Sequence, residues 1–178
     1  MKKHLFIALL LLISSIGFGQ DTINKQIISY SLPNNSVFVE LLGNSLFFGS
    51  VNYERIILHK HIFYLSGRIG TGFGYFFDTK LISIPIGLNG IFHIYHVLYF
   101  EVGAGTTLFY YNQKQSDSGK WENGHWVALT GTAGIRLKSP GGFIFRATFT
   151  PIFNLKNSLD LSEVISGFGF SFGGCFGK

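Results

Sequence analysis

The chain holds a single cysteine among 178 residues, Cys175. One thiol excludes an intramolecular disulfide and is left either buried or available to a partner. Charged residues make up only 13%, about half the share usual in soluble domains. Beyond residue 16 no apolar run approaches the ~20 residues of a membrane-spanning helix. There is no long helical periodicity and no low-complexity linker. The basic residues are not clustered, which argues against nucleic acid as a partner.

The first residues carry a different signal. Lys2 and Lys3 precede an almost wholly apolar run from Leu5 to Ile16, and Gly17-Phe18-Gly19 offers small residues at a cleavage site. This is the layout of a secretory signal peptide over residues 1–19. No cysteine stands directly after the apolar run, so a lipoprotein is not expected. Without residues 1–19, twelve Lys and Arg face nine Asp and Glu, a formal charge of +3. Aromatic residues are abundant at 17%, with 20 Phe and 8 Tyr. An exported chain this apolar, without spanning helices, must satisfy every backbone polar group internally, and the non-helical solution is a closed barrel.

Residues 20–35 read as a periplasmic leader ending in a Pro33-Asn34-Asn35 turn. Residues 36–178 then divide into eight segments that alternate with period two. They are Ser36–Gly43, Phe47–Ile57, Ile62–Gly74, Leu81–Gly90, Val97–Leu108, Trp126–Leu137, Phe143–Thr150 and Val164–Phe172. One parity in each is large and apolar, as in Ile82, Ile84, Ile86 and Leu88, or Phe168, Phe170 and Phe172. The other parity carries glycine, small polar residues and the mid-strand charges. A water-soluble barrel would turn its large apolar residues inward and its charges outward. The present pattern fits an apolar band against acyl chains and glycine inside a narrow lumen. The expected fold is therefore an eight-stranded antiparallel up-and-down transmembrane β-barrel.

Connection lengths suggest an orientation. Those after segments two, four and six are short: residues 58–61, 91–96 and 138–142. Those after three, five and seven are longer: 75–80, 109–125 and 151–163. Short periplasmic turns and longer external loops are the outer-membrane rule, which places both termini in the periplasm. Tyr110, Tyr111 and Trp126, with Tyr75-Phe76-Phe77, are expected in an aromatic girdle at the membrane boundary.

Val37-Phe-Val-Glu40-Leu-Leu-Gly43, Ser50-Val-Asn-Tyr53-Glu54-Arg55 and the Gly/Phe-rich closing strand resemble the small outer-membrane barrel proteins of Bacteroidota. The closing strand is also similar to the C-terminal signal read by the barrel-assembly machinery, although it ends in Lys178. The resemblance implies outer-membrane lipid and lipopolysaccharide as surroundings. It implies the assembly machinery as a partner during biogenesis, and leaves room for another envelope protein.

The candidate site is a set of lumen charges: Glu40, Glu54 and Glu101 with Arg68, Arg136 and Arg146. Unpaired, each would cost several kcal/mol. An eight-stranded lumen is filled by side chains, so these six read as a structural ion network rather than a gated pore. His59 with His61, and His93 with His96, lie in expected turns without a carboxylate or thiolate to complete a metal site. Asp117, Ser118, Glu122 and His125 share one polar loop without a scaffold to align a hydrolase triad. The glycines around Gly70 and Gly103 lie within strands and are not phosphate loops. No cofactor, metal or catalytic residue is expected. The leading reading is a non-enzymatic barrel acting as a structural or binding element, or as a subunit of an envelope complex. The alternatives are a lipid A deacylase or acyltransferase, and a lateral route for small hydrophobic molecules, to which Pro85 gives slight support.

Overall fold

The computed structural model describes residues 33–45, 49–76, 79–114, 121–154 and 164–177. The expected signal peptide and most of the leader lie outside these residues. Eight strands among the described residues close into an antiparallel barrel in sequence order. They are β1 (Asn35–Leu42), β2 (Gly49–Lys60), β3 (Phe63–Phe76), β4 (Thr79–Tyr95), β5 (Leu98–Lys114), β6 (Trp121–Lys138), β7 (Phe143–Asn154) and β8 (Val164–Phe176). The expected fold class is the observed one.

The strands are longer than the alternation suggests. β5 and β6 continue through most of the expected loop 109–125 and leave only residues 115–120 between them. β3 and β4 are likewise separated by two residues rather than six. Backbone pairing runs on beyond the apolar belt, where the side chains need not alternate. The first residue of β1 is Asn35, which the sequence placed in the preceding turn.

Register gives the barrel its stagger. Asn35 faces Arg55, Arg55 faces Gly67, then come Leu88, Ala104 and Gly131. The row continues past Pro151, which faces Ser166 on β8. Asn35 itself faces Phe176 across the closing seam, ten residues further along β8. A closed barrel requires such a shear and tilts its strands by roughly 35–45°.

Two prolines interrupt the ladders. Pairing between β3 and β4 skips from Ile69–Ile86 to Gly72–Ser83 around Pro85. Pairing between β6 and β7 skips from Thr130–Ile152 to Ala133–Phe149 around Pro151. Proline has no N–H to donate. The other edge of β4 stays in register, with Pro85 facing Thr107.

Outward positions are apolar and exposed, including Phe73 at 65% and Phe168 at 67%. Inward positions are mostly glycine, polar or charged, with buried apolar residues such as Tyr64, Ile91, Tyr99 and Phe109 among them. At several inward glycines the neighbouring strand occupies the space a side chain would need. A Cβ at Gly105 would meet the Ile86 carbonyl and the Gly87 Cα, and one at Gly134 would meet Ala147 and Thr148 backbone. Gly174 faces open space. Gly105→Ala is therefore expected to destabilise the barrel by roughly 1–3 kcal/mol, the usual range for overpacking. Gly174→Ala should stay within about 0.5 kcal/mol of wild type. Urea unfolding in detergent micelles, followed by heat-modifiable gel migration, measures both.

Candidate functional site

Inward parity places Glu40 on β1, Glu54 on β2, Arg68 on β3, Glu101 on β5, Arg136 on β6 and Arg146 on β7. The structure brings all six together in one buried layer of the lumen. Arg136 is the hub. Its Nη1 donates to Glu54 Oε2 at 2.7 Å and its Nε to Glu101 Oε2 at 2.8 Å. Arg146 Nε donates to Glu101 Oε1 at 2.8 Å. Arg68 Nη1 donates to Glu40 Oε2 at 2.9 Å.

Three carboxylates and three guanidiniums make the layer electrically neutral. Neutral partners complete it. Ser66, Ser36 and Asn89 donate to Glu54, and the Arg146 guanidinium lies 4.6 Å from the Phe38 ring centroid. Among the charged groups, direct cross-strand neighbours are not the bonded partners. Arg68 faces Glu54 in register yet binds Glu40. Arg136 faces Arg146, a like-charge juxtaposition that would be destabilising alone. Glu101, which binds both guanidiniums, offsets it.

Apolar clusters close the lumen on both sides of this layer, and β5 orders them. Tyr99 lies in one cap with Tyr64 and Ile91. Glu101 lies in the ionic layer. Phe109 lies in the other cap with Ala128 and Ile152, backed by Leu81 and Trp126. Between Glu101 and Phe109, Thr107 Oγ1 donates to the Asn44 carbonyl at 3.1 Å. Asn44 belongs to a short 3-10 turn, η1 (Gly43–Ser45), whose three residues are all buried. Its backbone N–H and side-chain amide both donate to Glu40 Oε1 at 3.0 Å. The segment after β1 thus folds into the barrel as an internal plug. The alternating segments end at Gly43 and resume at Phe47, so the pattern alone shows only a short connection here. The signal that points to it is Gly43, which has a positive φ of 69° and packs its Cα against Gly169 on β8.

Several buried polar atoms have no partner among the described residues, including Asn44 Oδ1, Ser45 Oγ, Asn52 Oδ1, Arg68 Nε and Thr150 Oγ1. Buried groups of this kind are commonly met by ordered water.

The other sequence candidates do not assemble. Asp117 and Ser118 lie outside the described residues. Glu122 and His125 belong to strand β6, not to a loop. Three positions apart on a strand, they point to opposite faces, so they cannot serve one triad. His59 Nε2 lies 3.2 Å from the His61 carbonyl, and His93 Nε2 lies 3.1 Å from that of His96. The two rings rest against Tyr64 and Tyr99. Among the described residues no three His, Cys, Asp or Glu side chains converge as a metal site. Tyr110 faces outward, as a girdle requires. Trp126 does not: it has inward parity and stacks on Phe109 at 4.0 Å. Phe77 lies outside the described residues.

No protein-family model matches the chain, and no curated protein matches its sequence. Solved structures match its fold. Ail, the attachment invasion locus protein of Yersinia pestis, superposes with a TM-score of 0.56 at 13% identity, over 82% of this chain and 100% of that one. Neisserial surface protein A gives 0.54 at 15% identity, over 82% and 99%. At such identities the likeness is one of fold.

Breaking a buried ion pair leaves a charge stranded and costs about 3–5 kcal/mol. Arg136→Ala leaves Glu54 without a cation and Glu101 with Arg146 alone, so a loss of about that size is expected in urea unfolding. Arg55, also on β2 but exposed on the outer wall, provides the contrast. Arg55→Ala should shift stability by no more than about 0.5 kcal/mol. The chain therefore shares the closed eight-stranded antiparallel architecture of the outer-membrane barrels Ail and Neisserial surface protein A.

Proposed function

We propose that the chain is an integral outer-membrane protein with a sealed lumen, acting as a non-enzymatic structural or binding element of the envelope. The observation that carries this is the inside-out distribution of polarity. Six ionised groups are buried at the axis while exposed Phe, Ile, Leu and Val line the outer wall. That wall is unstable in water and suited to acyl chains. Likeness of fold to Ail and Neisserial surface protein A supports the same location.

A pore is disfavoured by what fills the axis. Two apolar caps, an ionic layer and the η1 plug occupy it in series. The lateral route fares no better. The lumen behind the Pro85 break holds Asn52 and Arg68, which offer an apolar solute no apolar path. Glu122 and His125 diverge across the two faces of β6, so they do not act together, and Asp117 and Ser118 lie outside the described residues. Both termini are read as periplasmic, with the β5–β6 connection outside.

Reconstitution into planar bilayers is expected to give no steady channel current. A reproducible ohmic conductance would overturn the sealed lumen. Orientation is tested in whole cells carrying Ser118→Cys in a Cys175→Ser background. A membrane-impermeant maleimide should label this variant without lysis; labelling only after lysis would reverse the assigned topology.

A further inference from the structure

The outer wall carries a pocket of about 410 Å³ at the end of the barrel that bears the β5–β6 hairpin. Its floor is apolar, made by Phe73, Ile82 and Tyr110, which are exposed on the outer face. This floor continues the apolar belt. Its rim is polar: Lys80, Asn112 and Asn123 from the three adjacent strands β4, β5 and β6. The three stand in one register row, Lys80 facing Asn112 and Asn112 facing Asn123. The pocket thus joins a lipid-like surface to a cation and two amides, at the level where acyl chains give way to headgroups.

Two further features point to a ligand. The amide oxygen of Asn112 is buried and has no hydrogen-bond partner among the described residues. A buried acceptor left unpaired costs about 1–3 kcal/mol, which a donor from a ligand would recover. Lys80 Nζ stands 5.5 Å from the centroid of the Trp121 ring. That contact holds an exposed ammonium over an aromatic platform. The Tyr111 ring lies over Gly124, where any side chain would collide with it.

We propose that this pocket holds the phosphorylated disaccharide headgroup of an outer-leaflet glycolipid. Each part has a matching partner. The ammonium of Lys80 takes a phosphate as a charge-assisted contact. The amides of Asn112 and Asn123 take sugar hydroxyls, the Asn112 oxygen as acceptor. Phe73, Ile82 and Tyr110 take the first methylenes of the acyl chains. A glycerophospholipid would satisfy the cation and the floor but supply few hydroxyls for two amides. The assignment rests on the outer-membrane reading with the β5–β6 hairpin facing outward.

Native mass spectrometry of the detergent-purified barrel tests it, with bisphosphorylated lipid A, dephosphorylated lipid A and phosphatidylglycerol offered at equal concentration. Wild type should retain the bisphosphorylated form about tenfold better than either other lipid. Lys80→Ala should lose that preference, and Asn112→Ala should weaken retention of both lipid A forms. Lys60→Ala, at the opposite rim, should bind as wild type does. Heat-modifiable migration shows that each variant is folded. Equal retention of the three lipids by wild type, or undiminished preference in folded Lys80→Ala, would overturn the proposal. So would a Lys80-dependent preference for phosphatidylglycerol. Binding in detergent does not depend on topology. A failed orientation assay with intact binding therefore indicts the assigned topology, and the reverse result indicts the site.

Discussion

The fold depends on one electrostatic constraint: six ionised side chains must be mutually satisfied inside a lumen closed to water. Arg136 and Glu101 carry most of that burden. Each binds two partners of opposite sign, so removing either strands one charge and leaves a second with a single partner. The Coulombic gain is large in a low-dielectric interior, but so is the desolvation cost, and the balance holds only while geometry and stoichiometry are right. Three acids against three bases meet the second condition. Ser36, Ser66, Asn89 and the η1 amides meet the first by filling lone pairs the guanidiniums do not reach.

The rest of the architecture protects that arrangement. Glycines on the inner face let the strands curve tightly enough for the charges to meet across the axis. The Tyr64–Ile91–Tyr99 and Phe109–Ala128–Ile152 clusters pack apolar side chains on either side of the ionic layer. The η1 turn adds a third barrier and is held by the same network, because Glu40 binds Arg68 on one carboxylate oxygen and Asn44 on the other. Plug and ionic layer are therefore one mechanical unit: displacing η1 would strip two donors from Glu40.

Much of this was legible in the sequence, and the limit has a physical cause. Period-two parity separates the lipid face from the lumen face, and it placed all six charges inward. Parity carries no information about height. In the register row through Asn35, Glu54 and Arg68 lie one residue toward one rim, whereas Glu101 lies three and Arg136 five residues toward the other. Only the ten-residue stagger of the closed barrel brings these positions level. The bonded partners were unreadable for the same reason, since Arg136 and Glu54 are 82 residues apart. Strand ends extend beyond the alternation where pairing continues past the belt, and Trp126 shares the inward parity of Ala128 and Thr130, which its aromatic character alone does not reveal.

The closed lumen also bears on where a role can reside. A side chain that already satisfies several buried partners cannot bind a solute without breaking contacts worth more than the solute would return. The axis of this barrel is therefore committed to stability. The outer wall is not. There, exposed apolar side chains adjoin Lys80, Asn112 and Asn123, which take no part in the ionic layer. Division of labour between a neutral, sealed interior and an adaptable exterior follows from the stoichiometry of the six charges.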